Sequence, residues 1–266
     1  MRYICIILTA LALVACGKPS PNTLVVGTIA GPESELMEVA QEVAKDQYGL
    51  NIKIIEFNDY NLPNEALQDG SLDANVYQHL PYLEAAKRAH GYALEPIGKT
   101  FVYPTAIYSK RINNLKNVPD NAVVAIPNDP SNEARALLLL QKAKLITLNT
   151  QEQPDIKDIK SNPRKLNLKH LDAAQLTRVL DDVDLAVINT NFAVPAGLSP
   201  TKDGLILEDK DSPYANVIVI RTNSSKKEQL ALFVKALNSP EVAEKAKTLF
   251  KGNAIPAWDN ESKKKP

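Results

Sequence analysis

Apolar residues along this chain follow two periods. Continuous, largely apolar runs at 24–27, 52–57, 123–126 and 184–188 have strand length and are bounded by Gly, Asn or Asp. Between the first two, Leu36, Val39, Ala40, Val43 and Ala44 recur at helical spacing. Glu33 and Glu35 place acid in the first turn of that helix and Gly49 stops it. Pro63 opens a short helix ending near Gly70, a short strand is expected at 74–76, and a helix at 79–89 is closed by Gly91. Strand, helix, strand, helix, strand predicts right-handed crossovers and a parallel sheet. In such sheets ligands gather at the carboxyl ends of the strands, and on this reading Tyr60 and Tyr77 fall just past two of them.

The second half carries the same signals with interruptions. Residues 101–109 read as extended, but Pro104 stands in the middle, which predicts an edge strand or a crossing between lobes. The loop Pro-Asn-Asp-Pro-Ser-Asn at 127–132 leads into a helix over 134–143. Asp129 or Ser131 serves as its cap and Pro130 suits its first turn. A polar excursion at 148–162, a short strand at 166–168 ahead of His170, and a short helix at 175–180 follow. The apolar strand at 216–221 returns to the first lobe, and helices at 226–237 and 240–250 end at Gly252. The expected organisation is a first lobe at 24–103, a second at 104–215, a return to the first at 216–258, and a tail at 259–266.

The first residues bear on compartment. Arg2 precedes an apolar run at 4–14 that is short for a bilayer span. Leu-Val-Ala-Cys at 13–16, with Gly17 after it, has the shape of a secretory signal and resembles the lipobox of bacterial lipoproteins. That resemblance implies removal of residues 1–15 and acylation of Cys16, with 16–23 as a tether; a plain signal with an incidental cysteine is the alternative. Cys5 would leave with the signal and Cys16 would be capped, so no thiol remains for a disulfide or a metal. The 31 basic and 31 acidic residues cancel, which disfavours nucleic acid as a partner. There are three widely spaced histidines, no Gly-rich phosphate loop and no nucleophile elbow, so no metal, cofactor or catalytic residue is expected.

Candidate binding chemistry concentrates in four places. Tyr77, His79 and Tyr82 crowd six positions and suit a small amphipathic ligand, or equally a strand–helix junction with its rings in the core. Arg135 falls near a helix N-terminus, where side chains lean back toward free N–H groups. A guanidinium there suits a carboxylate, unless it is an exposed arginine. Asn189 sits at the carboxyl end of a buried strand and offers both a donor and an acceptor. Asn216 opens the returning strand.

Several long motifs occur in order: Phe-Asn-Asp-Tyr-Asn-Leu-Pro-Asn-Glu-Ala-Leu at 57–67, Asp-Ala-Asn-Val-Tyr-Gln-His-Leu-Pro-Tyr-Leu at 73–83, Thr-Phe-Val-Tyr-Pro at 100–104, Pro-Asn-Asp-Pro-Ser-Asn-Glu-Ala-Arg-Ala-Leu at 127–137, Ala-Val-Ile-Asn-Thr at 186–190 and Asp-Ser-Pro-Tyr-Ala-Asn at 211–216. With them the chain resembles the MetQ/NlpA family of methionine-binding lipoproteins from Cys16 to Trp258. The resemblance implies an α/β, two-lobed fold of the periplasmic-binding-protein kind (type II), with a ligand cleft between lobes joined by crossing strands. It implies that Arg135 holds the ligand carboxylate, that Asn189 and Asn216 hold the backbone groups, and that Tyr60, Tyr77, His79 and Tyr82 wall the thioether. Tyr77 stands where the family often has phenylalanine, and its hydroxyl needs a partner. The implied role is delivery of methionine to an ABC permease and its ATPase. The protein would act as a monomer, lipid-anchored in the cell envelope and facing the periplasm or exterior. A methionine-containing dipeptide or another apolar amino acid is the rival ligand, and surface adhesion the rival role. On this reading Arg135→Ala abolishes binding with little change in melting.

Overall fold

The computed structural model describes residues 22–209 and 212–258. The expected signal at 1–15, the lipidation site Cys16, most of the tether and the tail at 259–266 lie outside the described residues. The chain begins with β1 (Thr23–Ile29), α1 (Pro32–Tyr48), β2 (Asn51–Phe57), α2 (Leu62–Gln68), β3 (Ala74–His79), α3 (Leu80–His90) and β4 (Leu94–Val102). It continues with β5 (Ala106–Tyr108), β6 (Val123–Pro127), α4 (Pro130–Lys142), the small pair β7 (Thr147–Leu148) and β8 (Ile159–Ser161), and β9 (Asn167–Leu171). Then come β10 (Leu185–Ile188), α5 (Thr190–Ala193), β11 (Ile206–Leu207), β12 (Ala215–Arg221), α6 (Lys227–Leu237), α7 (Pro240–Leu249) and β13 (Ile255–Pro256).

Two sheets organise these elements. The six-stranded sheet runs β13-β4-β12-β3-β1-β2 and the five-stranded sheet β11-β5-β10-β6-β9. The expected parallel pairing is found where βαβ units supply it: β1 pairs parallel with β2 and β3, and β6 with β9 and β10. The sheets are nevertheless mixed. β12 arrives from the other lobe and slots antiparallel between β3 and β4, and β5 lies antiparallel to β10. Neither connection uses a helical crossover, so the right-handed parallel rule does not bind them.

Each sheet with its helices encloses its own core. In the first, Leu36, Met37 and Ala40 of α1 pack with Leu24, Val26, Phe233 and Phe250. In the second, Leu137 and Leu140 of α4 pack on Val124, Ile126, Leu185 and Val187. Each fully buried leucine or isoleucine contributes about 1.5–3 kcal/mol. Three local expectations change. The third strand runs on to His79, so Tyr77 is within it rather than past its end. The register against β12 slips between Val217 and Ile218, leaving Tyr77 as the unpaired residue of a β-bulge, the kind of kink that re-aims side chains beside sites. His170 lies inside β9 with its ring 3.2 Å from Glu133, and the expected helix at 175–180 is only a 3₁₀ turn at Ala173–Gln175. Among the described residues no helix is long and apolar enough to cross a membrane.

Candidate binding cleft

The two lobes meet along a hinge built from the crossing chain. Residues 103–105 carry β4 into β5, and the hinge is laced by two hydroxyls. Thr105 Oγ1 donates to the carbonyl of Ile188 at 2.8 Å and Thr190 Oγ1 to that of Pro104 at 2.6 Å. Ala215 pairs with Val102, so the second crossing runs beside the first. Gly31 turns β1 into α1 with φ 106°, a conformation open to glycine, and an added Cβ would sit 3.2 Å from Pro195 of the facing lobe. The cleft mouth is bridged by Asn61 Nδ2, which donates to Asp172 at 3.0 Å. The lobes are therefore in contact across the cleft.

Inside lies a hollow of about 350 Å³, mouth included, lined by Tyr60, Tyr77, His79 and Tyr82 from the first lobe, Arg135 and Asn189 from the second, and Asn216 from the returning strand. The free space between the side chains is far smaller, about 20 Å³, room for about one water, so a ligand needs the lobes to part. All seven expected residues are thus brought together, three of them by unforeseen local structure. The bulge turns Tyr77. His79 caps α3, accepting the Tyr82 N–H at its Nδ1 at 3.2 Å. Asn189 caps α5 with its backbone, leaving its side chain unused for the cap.

The rings form one wall. Tyr60, Tyr77 and Tyr82 stand with centroids 5.8–6.0 Å apart, and Phe192 of the opposite lobe lies 4.9 Å from Tyr60. Tyr82 Oη donates to the Tyr60 carbonyl at 2.8 Å, fixing the ring. Tyr77 Oη is buried beside the Tyr82 hydroxyl, and among the described residues it makes no well-formed hydrogen bond. His79 joins the wall at Tyr214, 4.9 Å away edge-on. Burial first, and the Arg135 charge second, push its imidazole down to about 3. With Nδ1 accepting, the neutral ring carries its proton on Nε2.

The polar end is built differently. Arg135 is 5 % exposed and does not point to bulk water. Its Nε and Nη2 grip Glu208 bidentately, Nη2 also donates to the Tyr103 carbonyl at 2.9 Å, and Tyr214 lies under the guanidinium at 4.6 Å. Burial opposes its charge, but the Glu208 carboxylate outweighs burial and raises its pKa further. Among the described residues Nη1 is left without a partner. Asp129 caps α4 and also takes Asn132 Nδ2 at 3.0 and 3.1 Å. Asn132 Oδ1 then accepts Asn189 Nδ2 at 2.8 Å, and Asn189 Oδ1 is left buried without a partner. The hollow therefore presents unused donors at the guanidinium and unused acceptors at the amides, the two faces of a zwitterion.

Sequence reasoning missed Glu208, Asn132, Asn191, Tyr103, Tyr214 and the role of Glu33. Asn132 and Tyr214 sit inside quoted motifs, so loop chemistry could have flagged them. Glu208 follows a two-residue strand with no motif around it, and only the fold shows what it touches. Among the described residues no cluster of three metal-ligating side chains occurs.

Comparison with known proteins bears on the family and the fold. The profile of the NlpA lipoprotein family matches residues 24–258. The chain belongs to that family. A curated relative, the D-methionine-binding lipoprotein MetQ of Escherichia coli K12, is 49% identical over 255 residues, 94% of either chain. A solved ABC transporter periplasmic substrate-binding protein from Coxiella burnetii is 57% identical with a TM-score of 0.86, covering 88% of this chain and 100% of the other. The structure of a nutrient binding protein from Burkholderia cenocepacia bound to methionine superposes with a TM-score of 0.85 at 50% identity, covering 88% of this chain and 99% of the other. Within the NlpA family the two-lobed fold is that of ABC transporter substrate-binding proteins, and family members are lipoproteins by name.

Proposed function

We propose that the protein is an extracytoplasmic receptor that closes its lobes on methionine and hands it to an ABC permease with its ATPase, performing no covalent chemistry. The carrying observation is that one enclosed hollow gathers a guanidinium, unused amide oxygens and a ring wall. In this reading the Nη1 face of Arg135 takes the carboxylate, Asn189 and Asn216 take the backbone groups, and Tyr60, Tyr77, His79 and Tyr82 shelter the thioether. The lobes divide as 24–103 with 216–258 against 104–215. The chain works as a monomer held to the membrane through Cys16 on the periplasmic or exterior side.

The magnitudes are compatible. Burying a thioether side chain contributes about 1.5–3 kcal/mol, a sulfur–aromatic contact about 0.3–1.5 kcal/mol, and each charge-assisted hydrogen bond about 1.5–3 kcal/mol. With two or three such bonds the favourable contributions bracket the roughly 8 kcal/mol of a micromolar complex before the cost of association is taken off. Because the lobes touch, ligand access requires a hinge motion, and ligand must favour the closed state.

The test is a thermal-shift screen of L- and D-amino acids and methionyl dipeptides, with mass spectrometry of anything carried through purification. A ligand bound only by the folded form raises the melting temperature. Methionine giving the largest shift supports the reading. A dipeptide or another apolar amino acid in first place changes the ligand, and no shift with any of them favours a surface interaction role.

A further inference from the structure

We propose that Glu33 is a positioning residue of the cleft: a buried carboxylate that turns the amides of Asn191 and Asn216 so that their carbonyl oxygens serve the amine of the ligand. The inference deepens the reading of the cleft as a free amino-acid site and rests on it. Glu33 is 4% exposed at the start of α1. Its Oε2 accepts Asn191 Nδ2 at 2.8 Å and its Oε1 accepts Asn216 Nδ2 at 3.1 Å. One amide comes from the facing lobe and the other from the returning strand, so a single carboxylate ties three distant segments.

The polarity follows from chemistry. Both amides offer Glu33 their nitrogens, the polarity an ionised carboxylate enforces because it only accepts hydrogen bonds. In a planar amide that commits each oxygen to the other side. Asn191 and Asn216 line the hollow while Glu33 does not, and Asn191 Oδ1 is buried with no partner. Asp129 does the same to Asn189 by way of Asn132. Two carboxylates behind the wall thus set amide acceptors within it. Arg135 is already balanced by Glu208, so Glu33 supplies the negative charge that a bound ammonium would meet. Burial pushes the Glu33 carboxyl up to about 8, which favours its protonated form in the empty cleft near neutral pH, and a cation brought to the amides draws it to the ionised form.

The experiment pairs two readouts on the mature chain. Methionine and its deamino analogue, 4-(methylthio)butanoate, are titrated into wild type and Glu33→Gln, the weaker ligand by competition. A glutamine brings its own N–H₂ and cannot accept both amides. Methionine affinity should fall about 10-fold or more, the loss of one charge-assisted bond, with the analogue changed less than about two-fold. Equal weakening of both ligands, or unchanged methionine binding, overturns the proposal. Side-chain amide NMR of ligand-free wild type is the second readout and needs neither the variant nor a ligand. The N–H₂ protons of Asn191 and Asn216 should be slow to exchange and show cross-peaks to the Glu33 methylenes. Rapid exchange or missing cross-peaks refutes the positioning role, whereas failure of wild type to bind methionine with these signals intact refutes the amino-acid reading alone.

Discussion

The two ends of the cleft are stabilised by opposite means. The ring end is held by packing: three tyrosines and a phenylalanine at aromatic contact distance, with the Tyr82 hydroxyl bonded to the Tyr60 carbonyl. The polar end is over-determined, with Glu208, Asp129 and Glu33 each fixing a group that faces the hollow. The difference teaches where tolerance lies. A surface of rings accommodates changes of side chain on either partner, while a network of buried charges loses most of its value when one member goes.

Removing Arg135 is the harshest way to break that contrast. The earlier expectation, lost binding with unchanged melting, is corrected by the structure: Arg135→Ala strands the Glu208 carboxylate, and breaking a buried pair costs about 3–5 kcal/mol. Methionine binding by calorimetry should fall beyond detection, the melting temperature should drop, and adding Glu208→Gln should restore part of the melting temperature but none of the binding.

Titration sharpens the comparison next. The imidazole of His79 sits at about 3 when folded, below its ordinary 6.5. The unfolded chain therefore binds the extra proton, and this contribution to stability is complete above about pH 6.5 and lost as pH falls toward 3, at about 1.4 kcal/mol per unit. Glu33 has the reverse sign: raised to about 8 from 4.5, it contributes most below pH 4.5, and the contribution is lost as pH rises through 8. The two oppose each other between about pH 4.5 and 6.5, so urea denaturation should show stability rising from about pH 3 to 4.5 and falling from about 6.5 to 8, and Glu33→Gln should remove the fall and let the rise run on to about pH 6.5.

The smallest effect belongs to the rings. Tyr77→Phe removes an unbonded buried hydroxyl, so stability should hold or rise by about 1 kcal/mol, and methionine affinity should stay within a few-fold. A large loss in either would show that the Tyr77 hydroxyl has a partner after all.

Much of this was legible in the sequence because periodicity reports burial. α1 and its stop at Gly49 follow from spacing and turn chemistry, and Arg135 and Asn189 follow from positions at element ends. What escaped depends on contacts between distant segments. No local pattern ties Glu33 to residues 191 and 216, or Arg135 to 208. The bulge at Tyr77 needs the register of β12, which arrives from elsewhere in the chain.

The most direct test of the central claim, a zwitterion held at its acid end by Arg135, is a calorimetric titration of ligand-stripped wild type with methionine and with methionine amide. Micromolar or tighter binding of methionine is expected, with the amide weaker by about 100-fold, two charge-assisted bonds lost. Equal affinities, or no heat with either, would contradict it.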